Sequence, residues 1–184
     1  VDFSKAGVMA EWTAPQYLDP ELLVAAQGNV SPDLTFSGFS SLKPAAVIQK
    51  WRSAWNKQDD PVFMEKFFTL ENWVQDNIPF PGGIWQEYIQ RLYQDNLLYK
   101  NELWIGPHHA KLENITCPVL NIVADNDHIV PPECSIPLNE MVSSESQELV
   151  HLPGGHVGII ASSRLFPQLV TILDKWLERH YDKA

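Results

Sequence analysis

The fold of this chain is decided by residues 117–156, CPVLNIVADNDHIVPPECSIPLNEMVSSESQELVHLPGGH. The apolar run at 119–123 is typical of a strand inside a parallel sheet. Pro131-Pro132 predicts the start of a helix, and residues 148–150 lead into a second strand. An acidic loop follows the first strand and a glycine-rich turn follows the second. Because loops at the carboxyl ends of parallel strands lie at one edge of the sheet, we expect a functional site there.

The acidic loop supplies the first candidate catalytic residue, Asp127. Asp125 competes with it for the role, and both acids are also typical of ordinary polar turns. Asp127 is favoured because the apolar and proline residues at 129–132 return the chain to the sheet edge and leave Asp127 at the apex of the loop.

The glycine-rich turn supplies the second candidate, His156. Gly154 and Gly155 before it permit unusual backbone angles and a close approach to other groups. Histidine titrates near neutrality and therefore suits a general base. The alternative is an ordinary loop histidine, which is how we interpret four others: His108, His109, His151 and His180. Their spacing fits no zinc site.

An acid and a histidine are two members of a catalytic triad, and the nucleophile is missing. Nucleophile elbows read G-x-S-x-G or its cysteine equivalent, and the sequence contains neither. Cys117 lies at the start of a strand, and Cys134 lies in a helix without flanking glycines. We reject both as nucleophile and expect two buried or partly buried free thiols. The chain order nucleophile, acid, histidine predicts a nucleophile before Val1.

Residues 10–105 are predicted to be mostly helical and rich in aromatic side chains. Helices are expected to start at Asp19-Pro20, Pro44, Asp60-Pro61 and Ile84, and a loop is expected at 29–41. The apolar face that contains Trp51 and Trp55 is interpreted as helix-packing core. A last helix is predicted from Ser163 to about His180.

Composition excludes several classes of function. The net charge of −10 argues against a nucleic-acid partner. No apolar run reaches the roughly 20 residues of a membrane helix. No metal and no cofactor are expected.

Two parallel strands leave both sheet edges open, so we expect the chain to be part of a larger protein.

Several motifs resemble those of the polyhydroxyalkanoate synthases. They are Asp127-His128-Ile129-Val130-Pro131-Pro132, Pro153-Gly154-Gly155-His156-Val157-Gly158-Ile159, Ile115-Thr116-Cys117-Pro118-Val119-Leu120 and Val1-Asp2-Phe3. The resemblance covers essentially the whole chain and is closest to the C-terminal half of the two-subunit (class III) type.

The resemblance implies a fold: the C-terminal part of an α/β-hydrolase with an inserted, mainly helical lid. Residues 1–5 would end a core strand, 6–110 would form the lid, and 111–184 would complete the core. Asp127 and His156 would be the acid and histidine of a Cys–Asp–His triad. His128 would either support this pair or have a structural role. The family's G-x-C-x-G-G elbow is absent from this sequence.

The resemblance also implies an activity and its partners. The reaction would transfer acyl groups from 3-hydroxyacyl-CoA, 3-hydroxybutyryl-CoA in particular, to a growing polyester. The partners would be a second copy of the chain and a second synthase subunit, in the cytoplasm at the surface of the polymer granule. Two alternatives stay open: an esterase or lipase with a serine nucleophile, and a non-catalytic module for dimerisation or partner binding.

Overall fold

A computed structural model describes residues 1–181 of the chain as a mixed α/β protein. Within these residues, no helix has the length and apolar character needed to cross a membrane. The helices, in chain order, are α1 (Val8–Trp12), α2 (Pro20–Gln27), α3 (Pro32–Ser41), α4 (Pro44–Asn56), α5 (Pro61–Gln75), α6 (Gly82–Glu87), α7 (Pro132–Ser135), α8 (Leu138–Met141), α9 (Gly158–Ala161) and α10 (Phe166–Tyr181). The strands are β1 (Trp104–Ile105), β2 (His108–His109), β3 (Val119–Ala124) and β4 (Gln147–Leu152). Short 3₁₀ turns lie at Phe3–Lys5 and Leu112–Asn114, and a π-helix covers Tyr88–Gln94.

Two compact units divide the chain. The helical unit is Asp19–Tyr88, and the sheet unit is formed by Val1–Leu18 together with the described residues from Ile89 onwards. The helical unit is narrower than the predicted 6–110 segment, because residues 6–18 and 89–110 belong to the sheet unit. The role of this segment as a lid stays a prediction. The predicted core segment 111–184 is described as far as residue 181.

The start of the chain forms a turn and not the predicted end of a strand. Residues 1–5 were predicted to end a strand, and the structure instead has a 3₁₀ turn at Phe3–Lys5. The turn forms because the Asp2 carboxylate accepts hydrogen bonds from the Ser4 backbone N–H at 3.1 Å and from its hydroxyl at 2.6 Å. A side chain that binds the following backbone in this way favours a turn over a strand.

Side-chain caps followed by proline start three helices of the helical unit. Asp19, Ser31 and Asp60 each accept a backbone N–H of the first turn of α2, α3 or α5. The loop predicted at 29–41 is wrong over most of its length, because α3 occupies Pro32–Ser41. Ser31-Pro32-Asp33 is an N-cap, a first-turn proline and a first-turn acid, which together favour a helix start.

Tight packing joins the end of α2 to the start of α6. The N–H of Gly82 donates to the Asn29 side chain at 3.2 Å, and Val30 and Phe80 exchange two backbone hydrogen bonds of 2.9 Å. A Cβ on Gly82 would overlap the carbonyl oxygen of Gly28. Only glycine therefore allows this approach, which buries Val30 completely.

A parallel pair of strands forms the centre of the sheet unit, as predicted. β3 and β4 pair in register from Val119 with Gln147 to Ala124 with Leu152. The helix predicted after Pro131-Pro132 is split into α7 and α8, since Pro137 cannot continue the hydrogen-bond ladder of α7. The last helix begins at Phe166 rather than Ser163. Leu165, directly before the helix, and Leu169, in its first turn, are buried.

Candidate active site

The backbone holds the two loops of the candidate site side by side. Beyond the ends of β3 and β4, the N–H of Asp125 donates to the Leu152 carbonyl at 2.9 Å. The N–H of Asn126 then donates to the Gly154 carbonyl at 2.8 Å. The pairing of the two strands thus continues into both loops and fixes the acidic loop against the glycine-rich turn.

Asp127 is anchored by its own backbone. Its Oδ1 accepts the N–H groups of Ile129 and Val130, both at 2.9 Å, and its N–H donates to Ala124 at 3.0 Å. This is the local side-chain to backbone pattern that Asp favours in turns. It leaves Oδ2 available on the side of the histidine, and the side chain is only 9% exposed.

His156 lies within hydrogen-bond distance of Asp127. Its Nδ1 is 2.8 Å from Asp127 Oδ2, and the imidazole is 42% exposed. Because Nδ1 faces the carboxylate, Nε2 is the nitrogen that can accept a proton from another group. An anchored acid and an accessible histidine in this arrangement can act as a general base.

Gly154 and Gly155 support the turn by packing rather than by unusual backbone angles. Neither is among the glycines with positive φ, which are Gly7, Gly28 and Gly106. A Cβ on Gly154 would lie 2.8 Å from Ile159 and 2.9 Å from Leu165, whereas one on Gly155 would meet Asn126 at an ordinary 3.6 Å. Of the two functions predicted for these glycines, close approach applies to Gly154.

The other predicted residues lie outside this pair. His128 is exposed, and no hydrogen bond to its side chain is found among residues 1–181. Both cysteines are free, as predicted, but only Cys134 is buried, and the predicted burial is wrong for the exposed Cys117. Burial raises the pKa of the Cys134 thiol to about 11, which opposes formation of a nucleophilic thiolate. Cys117 is exposed and lies before the amino end of β3, away from the loops of the site.

A second acid–histidine pair lies beside the first and was not predicted. His151 Nδ1 is 2.7 Å from Asp125 Oδ1, and both side chains are more than 40% exposed. His151 is a residue of β4, opposite Val123, and was interpreted as a loop histidine. The two acids that compete in the sequence therefore each contact a histidine, and only Asp127 is both shielded and anchored.

Known proteins match the chain along nearly its whole length. A poly(3-hydroxyalkanoate) polymerase subunit PhaC from Haloarcula marismortui is 34% identical over 172 residues, which are 92% of this chain and 36% of that protein. The subunit of the same name from Allochromatium vinosum is 34% identical over 179 residues, 96% of this chain and 50% of that protein. The chain is a relative of these PhaC subunits.

This relationship confirms the resemblance to polyhydroxyalkanoate synthases. A third PhaC subunit, from Synechocystis sp., is 29% identical over 184 residues, and the match covers 49% of that protein. The chain spans half or less of the length of these PhaC relatives. No protein-family model matches the chain.

Proposed function

We propose that the chain contributes the acid and the histidine of an acyltransferase that polymerises 3-hydroxyacyl groups. The nucleophilic cysteine is supplied by a segment outside residues 1–184. The observation that carries the proposal is the 2.8 Å contact between His156 Nδ1 and Asp127 Oδ2 in a chain related to PhaC polymerase subunits. The elbow that would hold the nucleophile is absent from this sequence.

Acylation is the first step of the proposed reaction. Nε2 of His156 takes the proton of the cysteine thiol, and the thiolate attacks the thioester carbonyl of 3-hydroxybutyryl-CoA. The carbon–sulfur bond to CoA breaks, and the imidazolium returns the proton to the departing CoA thiolate. Asp127 holds the ring by Nδ1 and stabilises its positive charge.

Chain extension uses the same pair in the second step. Nε2 of His156 takes the proton from a 3-hydroxyl group, and the resulting alkoxide attacks the acyl-cysteine. An ester bond forms, the carbon–sulfur bond to the cysteine breaks, and the proton passes to the cysteine thiolate. Water must be excluded from the acyl-enzyme, because it would release the acyl group as a free acid.

The parent protein is proposed to be a class III-like synthase with an α/β-hydrolase core and a lid. The parallel pair β3–β4 would form two neighbouring strands of that core, and the helical unit would contribute to the lid. A second copy of the protein and a second synthase subunit would be its partners, at the surface of the polymer granule. The half-length match to the PhaC relatives supports a longer parent.

Two substitutions in the full-length parent test the site. We expect His156→Ala to abolish CoA release from 3-hydroxybutyryl-CoA, and Asp127→Asn to lower it by about a thousandfold or more. His151→Ala is the matched control, because His151 also contacts an aspartate but lies in the exposed pair. Its activity should stay close to that of the unsubstituted protein. Unchanged polymerisation in His156→Ala would overturn the assignment.

The chain by itself provides the second arm of the test. The purified 184-residue chain should release no CoA from the same substrate, since it lacks the elbow cysteine. Measurable turnover would show that the nucleophile lies within the chain. If the natural sequence of the parent has a serine where the elbow cysteine is expected, an esterase or lipase is favoured instead.

A further inference from the structure

Helix α4 exposes an apolar stripe that the structure leaves largely uncovered. The stripe consists of Ile48, Trp51 and Trp55, which recur at helical spacing and are 71%, 48% and 73% exposed. Among residues 1–181, Trp51 alone of the three has an aromatic neighbour, Phe67, which it meets edge-on with ring centroids 5.3 Å apart. Exposed large apolar groups that are adjacent on one helix face are a feature of binding surfaces rather than of scattered surface residues.

The opposite face of α4 packs against the rest of the helical unit with small or polar side chains. Ala54 is buried, Ala46 and Ser53 are half-buried, and Lys50 binds Glu71 of α5 at 2.6 Å. The interpretation as packing core is therefore wrong for Trp55, whereas Trp51 packs edge-on against Phe67 of α5. The helix is oriented so that Ile48 and Trp55 face outwards.

The charged residues in the segment that forms α4 are all basic, although the whole chain has a net charge of −10. Residues 43–57 include Lys43, Lys50, Arg52 and Lys57 and no acidic residue. Lys50 is neutralised by Glu71, and Lys57 Nζ lies 4.6 Å from the centroid of the Phe63 ring on α5. Lys43 and Arg52 are exposed. The nearest acids along the chain are Asp59 and Asp60, and the carboxylate of Asp60 caps α5.

We infer that α4 binds the surface of an anionic lipid layer, with the stripe in the interface and Lys43 and Arg52 at the head groups. Tryptophan and isoleucine next to cations are the composition of helices that lie in such interfaces. Long basic side chains can cover apolar surface while their charged ends reach anionic groups. A partner with negative charge and an apolar interior fits both features at once.

A second copy of the chain is a poorer fit to the same stripe. Pairing of one stripe with the other in a symmetric dimer would bring the cations of both copies together, which is unfavourable. An interface rich in anionic lipid has no such conflict. The inference is independent of the proposed acyl transfer, because no residue of the candidate site takes part.

Vesicle flotation tests the inference with the 184-residue chain. We expect the chain to float with vesicles of phosphatidylglycerol and phosphatidylcholine, to float much less with phosphatidylcholine alone, and to be released by high salt. Ile48→Ser/Trp55→Ser should lower the bound fraction at least about tenfold, because two large apolar groups leave the interface. Lys43→Gln/Arg52→Gln should lower it about fivefold for each cation removed.

Matched controls come from the sheet unit. Trp104→Ser/Ile105→Ser removes the same two residue types at 53% and 63% exposure, and Lys100→Gln/Arg164→Gln removes one lysine and one arginine from exposed positions. Both controls should float like the unsubstituted chain, and circular dichroism should show equal helical content in all five proteins.

Three flotation outcomes would overturn the inference. They are no flotation with anionic vesicles, equal flotation with neutral vesicles, and equal flotation of the α4 variants and the unsubstituted chain. Self-association in lipid-free sedimentation that Ile48→Ser/Trp55→Ser abolishes would assign the stripe to a second copy and would also overturn it.

Discussion

The carboxylate of Asp127 determines which nitrogen of His156 carries the proton. Oδ1 is engaged by two backbone N–H groups, so Oδ2 is the oxygen that accepts from the ring. A carboxylate can only accept, and Nδ1 must therefore be the protonated nitrogen of the neutral imidazole. This tautomer leaves Nε2 with a lone pair, which is the form that a general base requires.

Asp127→Asn should reverse this tautomer. The Asn side-chain oxygen can still accept from Ile129 and Val130, which would turn its NH₂ group towards Nδ1. The neutral ring would then accept at Nδ1 and carry its proton on Nε2. Nitrogen-15 NMR of the 184-residue chain, at a pH where His156 is neutral, distinguishes the two forms directly.

Asp125→Asn is the matched control for this experiment. It makes the same chemical change in the neighbouring pair and should alter the signals of His151 only. An unchanged Nδ1–H tautomer of His156 in Asp127→Asn would contradict the role assigned to the carboxylate.

At the residue scale, the sequence predicts which residues lie at the edge of the sheet better than it predicts which side chains contact each other. Asp127 and His156 could be selected because each follows a recognisable strand, and strand ends meet at one edge of a sheet. The Asp125–His151 pair could not, because it depends on the register that places His151 opposite Val123. Register follows from long-range packing and is not specified by the local pattern alone.

At the scale of helices and strands, the sequence-based predictions are wrong where one local sequence pattern is compatible with two structures. Ser, Pro and Asp are typical of loops, but at residues 31–33 their order starts helix α3. Trp55 was predicted as core because periodicity identifies an apolar face without saying what covers it. The small residues on the opposite face of α4 gave the better indication of packing.

Gly154→Ala should destabilise the junction of β4 with α9 and α10. The added methyl would lie within 3 Å of Ile159 and of the buried Leu165. Forcing such groups apart costs about 1–3 kcal/mol in unfolding free energy. Urea denaturation measures the loss. The urea concentration at the midpoint of unfolding should fall, and the slope of unfolding free energy against urea concentration should not change.

Gly155→Ala is the adjacent control, since its methyl would meet Asn126 at an ordinary contact distance. It should change the unfolding free energy by less than about 0.5 kcal/mol. Equal losses in the two variants would indicate that the turn requires glycine for a reason other than close packing.

At the scale of the whole molecule, Asp2 joins segments that are distant in the sequence. Its carboxylate accepts from the Asn96 side chain at 2.8 Å, and its N–H donates to the Cys134 carbonyl at 2.9 Å. The Asn96 oxygen in turn accepts the N–H of Phe3 at 3.1 Å. The start of the chain is thereby attached to the segment after the π-helix and to α7, the helix that follows the acidic loop.

These contacts make the stability of the sheet unit sensitive to acid. Burial alone would raise the pKa of Asp2, but hydrogen bonds from Ser4 and Asn96 outweigh it and leave the pKa below the usual value of 3.8. A carboxyl group whose pKa is lower in the folded state stabilises that state above its unfolded pKa. The contribution is lost as the pH falls through the folded pKa, so the sensitive range lies below about pH 4.

Asp2→Asn should therefore cost stability at neutral pH and much less in acid. At pH 7 we expect the variant to be about 1 kcal/mol less stable, because charge-assisted hydrogen bonds become neutral ones. The difference from the unsubstituted chain should shrink as the pH is lowered towards 3, since protonation makes Asp2 neutral as well. Urea denaturation at both pH values measures this difference.

Asp174→Asn, at an exposed position of α10, is the control and should show a small effect at either pH. A deficit of Asp2→Asn that is the same at pH 7 and pH 3 would show that the side chain acts through its shape and not through its charge.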